Sequence, residues 1–253
     1  GWHRAMGAFV LASVLFVLPI HAMNVVSGLR HSKSGLESAS QAALSQLQAG
    51  AGAVLVRDAS AASSSFDRAG SAFGRARESV SELGSATSLL LSAIPATGRT
   101  YRAGTALIEA GESLSSAGER IAQGVLAAQG ELSPTPTSRL RILSTYVSSA
   151  KPELVNAARL VASISPEDVP EEHRATFTTL AENLPKVVSS VTEFLSFSDM
   201  AETILGGNGA KRYLVVFQNN NELRATGGFM GSFAELRMSN GVISKMEIPG
   251  GGT

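Results

Sequence analysis

RYLVVFQNNNELRATGGFMGSFAELRMSNGVISKMEI, residues 212–248, decides the fold, because the spacing of apolar residues changes here from helical to extended. Tyr213-Leu214-Val215-Val216-Phe217 is a short, unbroken apolar run, the pattern of a strand buried on both faces. A polar loop follows from Gln218 to Gly228, and then a hairpin. Met230, Ser232, Ala234, Leu236 and Met238 alternate onto one face of its first strand; Val242, Ser244, Met246 and Ile248 share one face of its second. Asn240-Gly241 has the chemistry of a two-residue turn, yet that turn pairs Met238 with Ile243 and puts the two apolar sets on opposite faces. A three-residue loop, Ser239-Asn240-Gly241, pairs Met238 with Val242 and Leu236 with Ser244, puts both sets on one face and leaves Gly241 left-handed. Because register follows the buried face, the pattern predicts the three-residue loop.

Working back toward the N-terminus, the chain is Ala/Ser/Gly-rich and helical in period. Phe66, Phe73, Val80, Thr87 and Ile94 recur every seven residues, with Ala69, Ala76, Leu83 and Leu90 three residues after the first four. A second seam runs through Leu107, Ala110, Leu114, Ala117, Ile121, Gly124 and Ala128. Pro95 and Gly98 separate the two, which predicts an antiparallel helical hairpin. An earlier stretch through Leu36, Ala43, Leu47 and Val54 is interrupted by Gly50 and Gly52. After the break at Ser133-Pro134-Thr135-Pro136-Thr137, two helices are expected, Ser138 to Ser149 and Pro152 to Ile164. Another helix is expected from Glu171 into the 190s, kinked or split at Pro185, then a last turn from Met200 to Leu205 before Gly206-Gly207.

Ala5 to Leu29 contains no Lys, Arg, Asp or Glu. As a helix these residues reach about 37 Å, more than the roughly 30 Å hydrocarbon core of a bilayer. A cleaved signal peptide, with Ile20-His21-Ala22 as its cleavage site, and a buried core helix are the rivals. The absence of a polar face speaks against the core helix, and the length favours a membrane anchor. The flanking charges Arg4, Arg30 and Lys33 are too even to orient it.

Composition excludes several classes. Charged residues are 17% of the chain, Lys+Arg and Asp+Glu are 21 each, and hydrophobic residues are 44%, so neither a disordered charged tail nor a nucleic-acid footprint is present. There is no Cys, hence no disulfide and no thiolate chemistry. His3, His21, His31 and His173 are scattered without metal-ligand spacing. Gly206-Gly207-Asn208-Gly209-Ala210-Lys211 looks like a phosphate loop but follows a helix, precedes a strand and lacks Ser or Thr after the Lys. Glu167-Asp168, in a Pro-flanked loop, reads as the start of the following helix. The chain starts at Gly1 and stops after a strand-like run, which reads as a piece of a longer protein.

Arg212 to Ile248 resembles the bacterial envelope family known as domain of unknown function 4012, through the pattern YLxxFQNNxELRxTGGFxGS. The resemblance is dense over 37 residues. It implies one membrane pass, a helical membrane-proximal region and a mostly extracytoplasmic C-terminal domain. It also implies a distant similarity to enzymes that attach lipid-carried glycopolymers to bacterial cell walls, although the acidic and Arg positions of those enzymes have no one-to-one match here.

The loop after the first strand is the candidate site, since ligands bind at the carboxyl ends of strands in open α/β sheets. Arg224 offers a planar fork for phosphate or carboxylate; Asn219, Asn220, Asn221 and Thr226 add neutral donors; Gly227 and Gly228 let backbone N–H groups approach an anion. The plainer alternative is that the Asn run turns the chain and Arg224 pairs with Glu222 or another carboxylate. No catalytic residue, cofactor or metal ligand is identified.

The expected fold is therefore mainly α. Residues 1–33 form a transmembrane anchor with flanks, 34–205 a membrane-proximal antiparallel helical bundle, and 206–253 the incomplete start of an α/β domain with a buried strand and a β-hairpin. The expected protein is single-pass, sits in the cell membrane with its bulk extracytoplasmic, and binds or transfers an anionic lipid-linked glycopolymer. Its expected partners are the bilayer and a polyprenyl-phosphate-linked glycan or envelope proteins, and not nucleic acid. The alternative is a non-enzymatic structural or sensory stalk. A topology reporter fused after residue 33 tests the placement. Alkaline phosphatase should be active there and β-galactosidase inactive; the reverse pattern puts the bulk of the chain in the cytoplasm.

Overall fold

The computed structural model describes residues 30–81, 95–130, 135–169, 171–219, 221–222, 225 and 227–249. These residues form five α-helices followed by a small antiparallel sheet. The chain divides into two compact units, Gly1–Leu126 with Thr145–Phe194, and Ala127–Ser144 with Leu195–Thr253. No helix among the described residues is long and apolar enough to cross a membrane. The Ala5–Leu29 tract, on which the anchor expectation rests, lies outside the described residues.

The first unit is helical. Helices α1 (Arg30–Leu55), α2 (Ala59–Ser81) and α3 (Pro95–Gln129) are followed by α4 (Pro136–Ala162), a 3-10 turn (Pro166–Asp168) and α5 (Glu171–Ile204), of which α4 and α5 also contribute to the second unit. Asp58 starts α2 as its N-cap, its Oδ1 accepting the Ala61 N–H at 2.9 Å. The heptad seams are buried as expected. Phe66, Ala69, Phe73 and Ala76 of α2, and Leu107, Ala110, Leu114 and Ala117 of α3, all join one core with Ala43 and Leu47 of α1. Seam positions Leu83, Thr87, Leu90 and Ile94 lie outside the described residues.

Glycine sets how closely these helices approach. A Cβ on Gly111 of α3 would lie 2.5 Å from the Phe73 ring, and one on Gly118 would lie 2.8 Å from Phe66. Gly50 of α1 closes on the same Phe66 ring, where an added Cβ would lie at 2.9 Å. Position 118 thus meets 66 while 111 meets 73, so α2 and α3 run antiparallel, as the two seams predict. Each notch gives up about 0.5–1 kcal/mol of helix propensity, but burying a Phe returns about 1.5–3 kcal/mol. The α3–α4 contact is antiparallel as well: Ser113 Oγ accepts from Asn156 Nδ2 at 2.9 Å, and Arg120 Nη1 donates to the Ser149 carbonyl at 2.7 Å.

Two helix expectations are corrected. Instead of two helices at 138–149 and 152–164, α4 is continuous through Pro152. Instead of ending in the 190s with a separate turn at 200–205, α5 is continuous through Pro185 to Ile204. In both, the buried stripe crosses the proline without interruption. Val147, Ala150, Leu154, Ala157 and Val161 lie on α4, and Phe177, Leu180, Leu184 and Val187 on α5. Five or four buried apolar side chains outweigh the roughly 3 kcal/mol cost of an internal proline. Arg120 adds its donor to the carbonyl three residues before Pro152, in the turn where proline leaves carbonyls short of N–H partners.

The second unit holds the sheet, β1 (Lys211–Asn219), β2 (Phe229–Ser239) and β3 (Val242–Glu247), in the order β1-β2-β3 with both pairs antiparallel. Here α5 ends in a Schellman cap. Gly206 is left-handed at φ 70°, the Gly207 N–H donates to Glu202 O at 2.8 Å, and the Gly206 N–H to Thr203 O at 3.3 Å. The β2–β3 turn then supplies donors to the next carbonyls: Gly241 N–H to Leu205 O at 2.8 Å, and Asn240 N–H to Gly206 O at 3.1 Å. The Tyr213 hydroxyl donates to Ile204 O. Arg141 of α4 bonds the Glu202 carboxylate and, at 3.2 Å, the Gly207 carbonyl.

Two strand expectations are also corrected. The hairpin has a two-residue turn, Asn240-Gly241, with φ 52° and 79°, and Ser239 pairs with Val242. Met238 then pairs with Ile243, but a bulge at Ser244 brings Leu236 opposite Met246. The extra residue satisfies both demands at once: the Asn-Gly turn and a shared apolar face. The Ser244 hydroxyl is held at the bulge, donating to Arg237 O at 3.2 Å. A second irregularity, at Gly231, moves Met230 out of phase with Ser232 and opposite Gln218. The other correction concerns β1, which is exposed rather than buried on both faces, Leu214 being 64% accessible. It pairs on one side with β2, and eight of its nine residues are exposed, Tyr213 alone being half-buried.

Alanine at the glycine notches tests this packing. Gly111→Ala and Gly118→Ala should each destabilise by about 1–3 kcal/mol through overpacking against Phe73 and Phe66. Gly52→Ala, where no atom lies within 4 Å of the added carbon, should instead stabilise by about 0.5–1 kcal/mol. Chemical denaturation of the three variants gives the signs; equal effects would refute the notches.

Candidate functional site

The predicted site falls on the β1–β2 connection. Asn219 is the last residue of β1 and pairs with Phe229, the first of β2, so the loop returns directly to the neighbouring antiparallel strand. The carboxyl-end argument for open parallel sheets therefore does not apply to β1 as it pairs here. Asn219 Oδ1 accepts the Asn221 N–H at 3.1 Å, and its carbonyl accepts the Glu222 N–H at 3.4 Å. Asn219 thus builds the first turn of the loop, as Asn side chains commonly do, while its amide NH₂ points no hydrogen bond at another described residue.

The far end of the loop depends on its two glycines. Gly227 is left-handed at φ 99°. Gly228 is buried, and a Cβ there would lie 2.7 Å from Gln218 Nε2 and 2.9 Å from the Asn219 carbonyl. Gln218 is the residue that sequence reasoning omitted from the site: its amide lies against the Gly227-Gly228 backbone, joining the loop's two ends. Its place in the run Phe217-Gln218-Asn219 was visible, but nothing in the sequence said which side chain would fold back. The structure brings Asn219, Asn221, Gly227 and Gly228 to one end of the sheet. Asn220, Arg224 and Thr226 lie outside the described residues.

Charges on the sheet are ordered by register. Arg212, Arg237 and Lys245 stand side by side across the three strands, next to Glu235 and Glu247. Arg212 pairs with Glu235 at 3.0 Å and Lys245 with Glu247 at 2.5 Å. Arg237 stands between two cations, which costs stability unless an anion joins them. Elsewhere, burial pushes the Glu112 and Glu119 carboxyls above the usual range; Arg77 partly offsets this for Glu112, and Asp67 adds to it for Glu119. Both lie on α3, and Gln123 Nε2 donates to Glu119 at 2.7 Å. Asp168 does not simply open α5: it ends the 3-10 turn and pairs with Arg99, 69 residues away, at 2.8 Å, a contact with no local sequence signal. Among the described residues, no group of three His, Asp or Glu is placed to hold a metal ion.

The sheet and its loop coincide with the family resemblance. Residues 208–250 match the family model described as protein of unknown function (DUF4012). That match covers Asn208 to Gly250 and takes in all three strands and the β1–β2 loop, but not the helices before them. No curated protein and no solved structure matches the chain.

The close approach at Gly228 is testable. Gly228→Ala should destabilise by about 1–3 kcal/mol and disturb the Gln218–Asn219 end of β1, because the added methyl meets backbone. Amide chemical shifts of residues 217–222 in the full chain report it. Unchanged shifts would mean that Gln218 does not pack on this glycine.

Proposed function

We propose that the chain is a membrane-anchored cell-envelope protein, its bulk outside the cytoplasm, whose β1–β2 loop binds an anionic lipid-linked glycopolymer for transfer or presentation. The observation that carries this is the construction of the loop. Gly227 and Gly228 are required by φ and by close approach: buried Gly228 seats the Gln218 amide, and exposed, left-handed Gly227 beside it offers its backbone to an anion with no side chain of its own in the way. Arg224 follows the Asn run within the same segment and supplies a fork for phosphate. The helical unit is the scaffold that precedes this end, and the α/β character of the domain beginning at residue 206 belongs to the same proposal. The family match over 208–250 supports the sheet, and not the helices, as the part with a shared role.

A second reading, a structural or sensory stalk without enzymatic activity, is favoured by the Phe66 and Phe73 notches. Interfaces of this closeness lock helices in register and transmit a displacement as a rigid unit.

Flotation of the full chain with phosphatidylcholine vesicles, with and without polyprenyl phosphate, separates the two. The first reading expects retention to rise with the polyprenyl phosphate and to drop at least about tenfold in Arg224→Ala, with an unchanged melting temperature. Retention that ignores both the lipid and the substitution leaves the stalk.

A further inference from the structure

A cavity of about 400 Å³ opens within the helical unit, between the first turns of α3 and the segment that joins α4 to α5. Its α3 wall carries Arg99 and Arg102, three residues apart and so on one helix face, with Ala103 and Ala106 beside them. Ser163, Ile164 and Asp168 close the other side. Asp168 is held in place from two directions. Its N–H donates to Ser165 O at 2.9 Å, and Arg174 Nε bonds the Pro166 and Val169 carbonyls at 3.0 and 3.2 Å, fixing the turn that presents the carboxylate.

The donors and acceptors in this cavity are unevenly committed. Arg99 Nε is spent on Asp168 Oδ1, leaving Asp168 Oδ2 without a donor among the described residues. Arg102 makes neither a hydrogen bond nor an ion pair with a described residue. The Ser163 hydroxyl has given its proton to Leu160 O at 2.6 Å and retains only acceptor capacity toward the cavity. Two guanidinium groups face one carboxylate, a net positive charge. The site therefore asks for three things at once: an anionic group for the Arg102 fork, hydroxyl donors for Asp168 Oδ2 and Ser163 Oγ, and a C–H surface for Ala103, Ala106 and Ile164. A bare inorganic anion meets the first and, as hydrogen phosphate, supplies a donor, but it brings no C–H surface; an aliphatic carboxylate misses the second. A hydroxylated ring bearing an anionic group meets all three, and the volume suits one such ring.

We propose that this cavity is a binding site for a single anionic sugar, a uronate or a hexose phosphate, with Arg102 on the anion and Asp168 and Ser163 on ring hydroxyls. The site is separate from the β1–β2 loop and does not depend on the role given to that loop. Its probes carry no lipid, so failure in the vesicle experiment has no bearing on it.

Calorimetric titration of the full chain with D-glucuronate, glucose 6-phosphate, glucose and inorganic phosphate tests the proposal. At least one of the two anionic sugars should bind about tenfold or more tightly than both glucose and inorganic phosphate, and which one binds identifies the anion. Arg102→Ala should weaken that binding by about tenfold at an unchanged melting temperature, since the side chain supports no described contact. Ala106→Phe, which keeps every charge and fills the apolar side, should weaken it too. No binding of either anionic sugar, equal binding of inorganic phosphate, or binding unaffected by Arg102→Ala would overturn the assignment.

Discussion

The last carbonyls of a helix need donors that the helix itself cannot supply. At the end of α5 that need decides how the chain turns from helix to sheet. Gly206 takes the left-handed conformation and closes the Schellman bonds to Glu202 and Thr203. The carbonyls of Ile204, Leu205 and Gly206 are then met by the Tyr213 hydroxyl and by the N–H groups of Gly241 and Asn240. A side chain at position 206 would meet Met238 O at 2.6 Å, so the cap and the hairpin fit only around glycine. The same contact explains the two-residue turn: Asn240 and Gly241, both at positive φ, aim their N–H groups at the helix end. The Ser244 bulge follows from it, because a turn fixed by the helix and a face fixed by apolar side chains differ by one residue.

Much of this was legible in the sequence, for identifiable reasons. The heptad positions Phe66, Phe73, Leu107 and Leu114 are buried where the seams put them, because a helix has one period and a core has one side. The change to strands after Gly209 was legible because alternation is a different period. The prolines misled, since Pro152 and Pro185 are punctuation only when nothing on either side is strong enough to carry a helix through. Buried residues at Val147, Ala150 and Leu154, and at Leu180, Leu184 and Val187, were strong enough. In the hairpin, turn chemistry and apolar face point to different loops in the sequence, and the bulge at Ser244 reconciles them.

The candidate loop was legible in composition and less so in role. Composition marks Asn219 only as a donor toward a ligand; in the structure its Oδ1 also builds the first turn of the loop by accepting the Asn221 N–H, which leaves the NH₂ as the donor. Gln218 carries no sequence signal for the site, and its amide closes the loop against Gly228. Both outcomes depend on which side chain reaches back over which backbone, a tertiary fact that spacing does not encode. The Arg99–Asp168 pair is the extreme case, joining residues 69 apart through two helices and a 3-10 turn.

These two levels of legibility have a physical consequence for where specificity can reside. Helix seams of Ala, Ser and Gly tolerate change wherever volume is conserved, and they carry little chemical information beyond register. A buried glycine pressed on a carbonyl tolerates no side chain, and a turn whose N–H groups cap a helix tolerates no change of φ. The family match begins at Asn208, just past the cap glycines, and runs through the loop and hairpin built on them. Constraint of this kind is narrow because it is geometric: each residue has a backbone partner at a fixed distance. The helices before it are held mostly by area, which many sequences can supply, and meet the same geometric limit only at the Gly50, Gly111 and Gly118 notches.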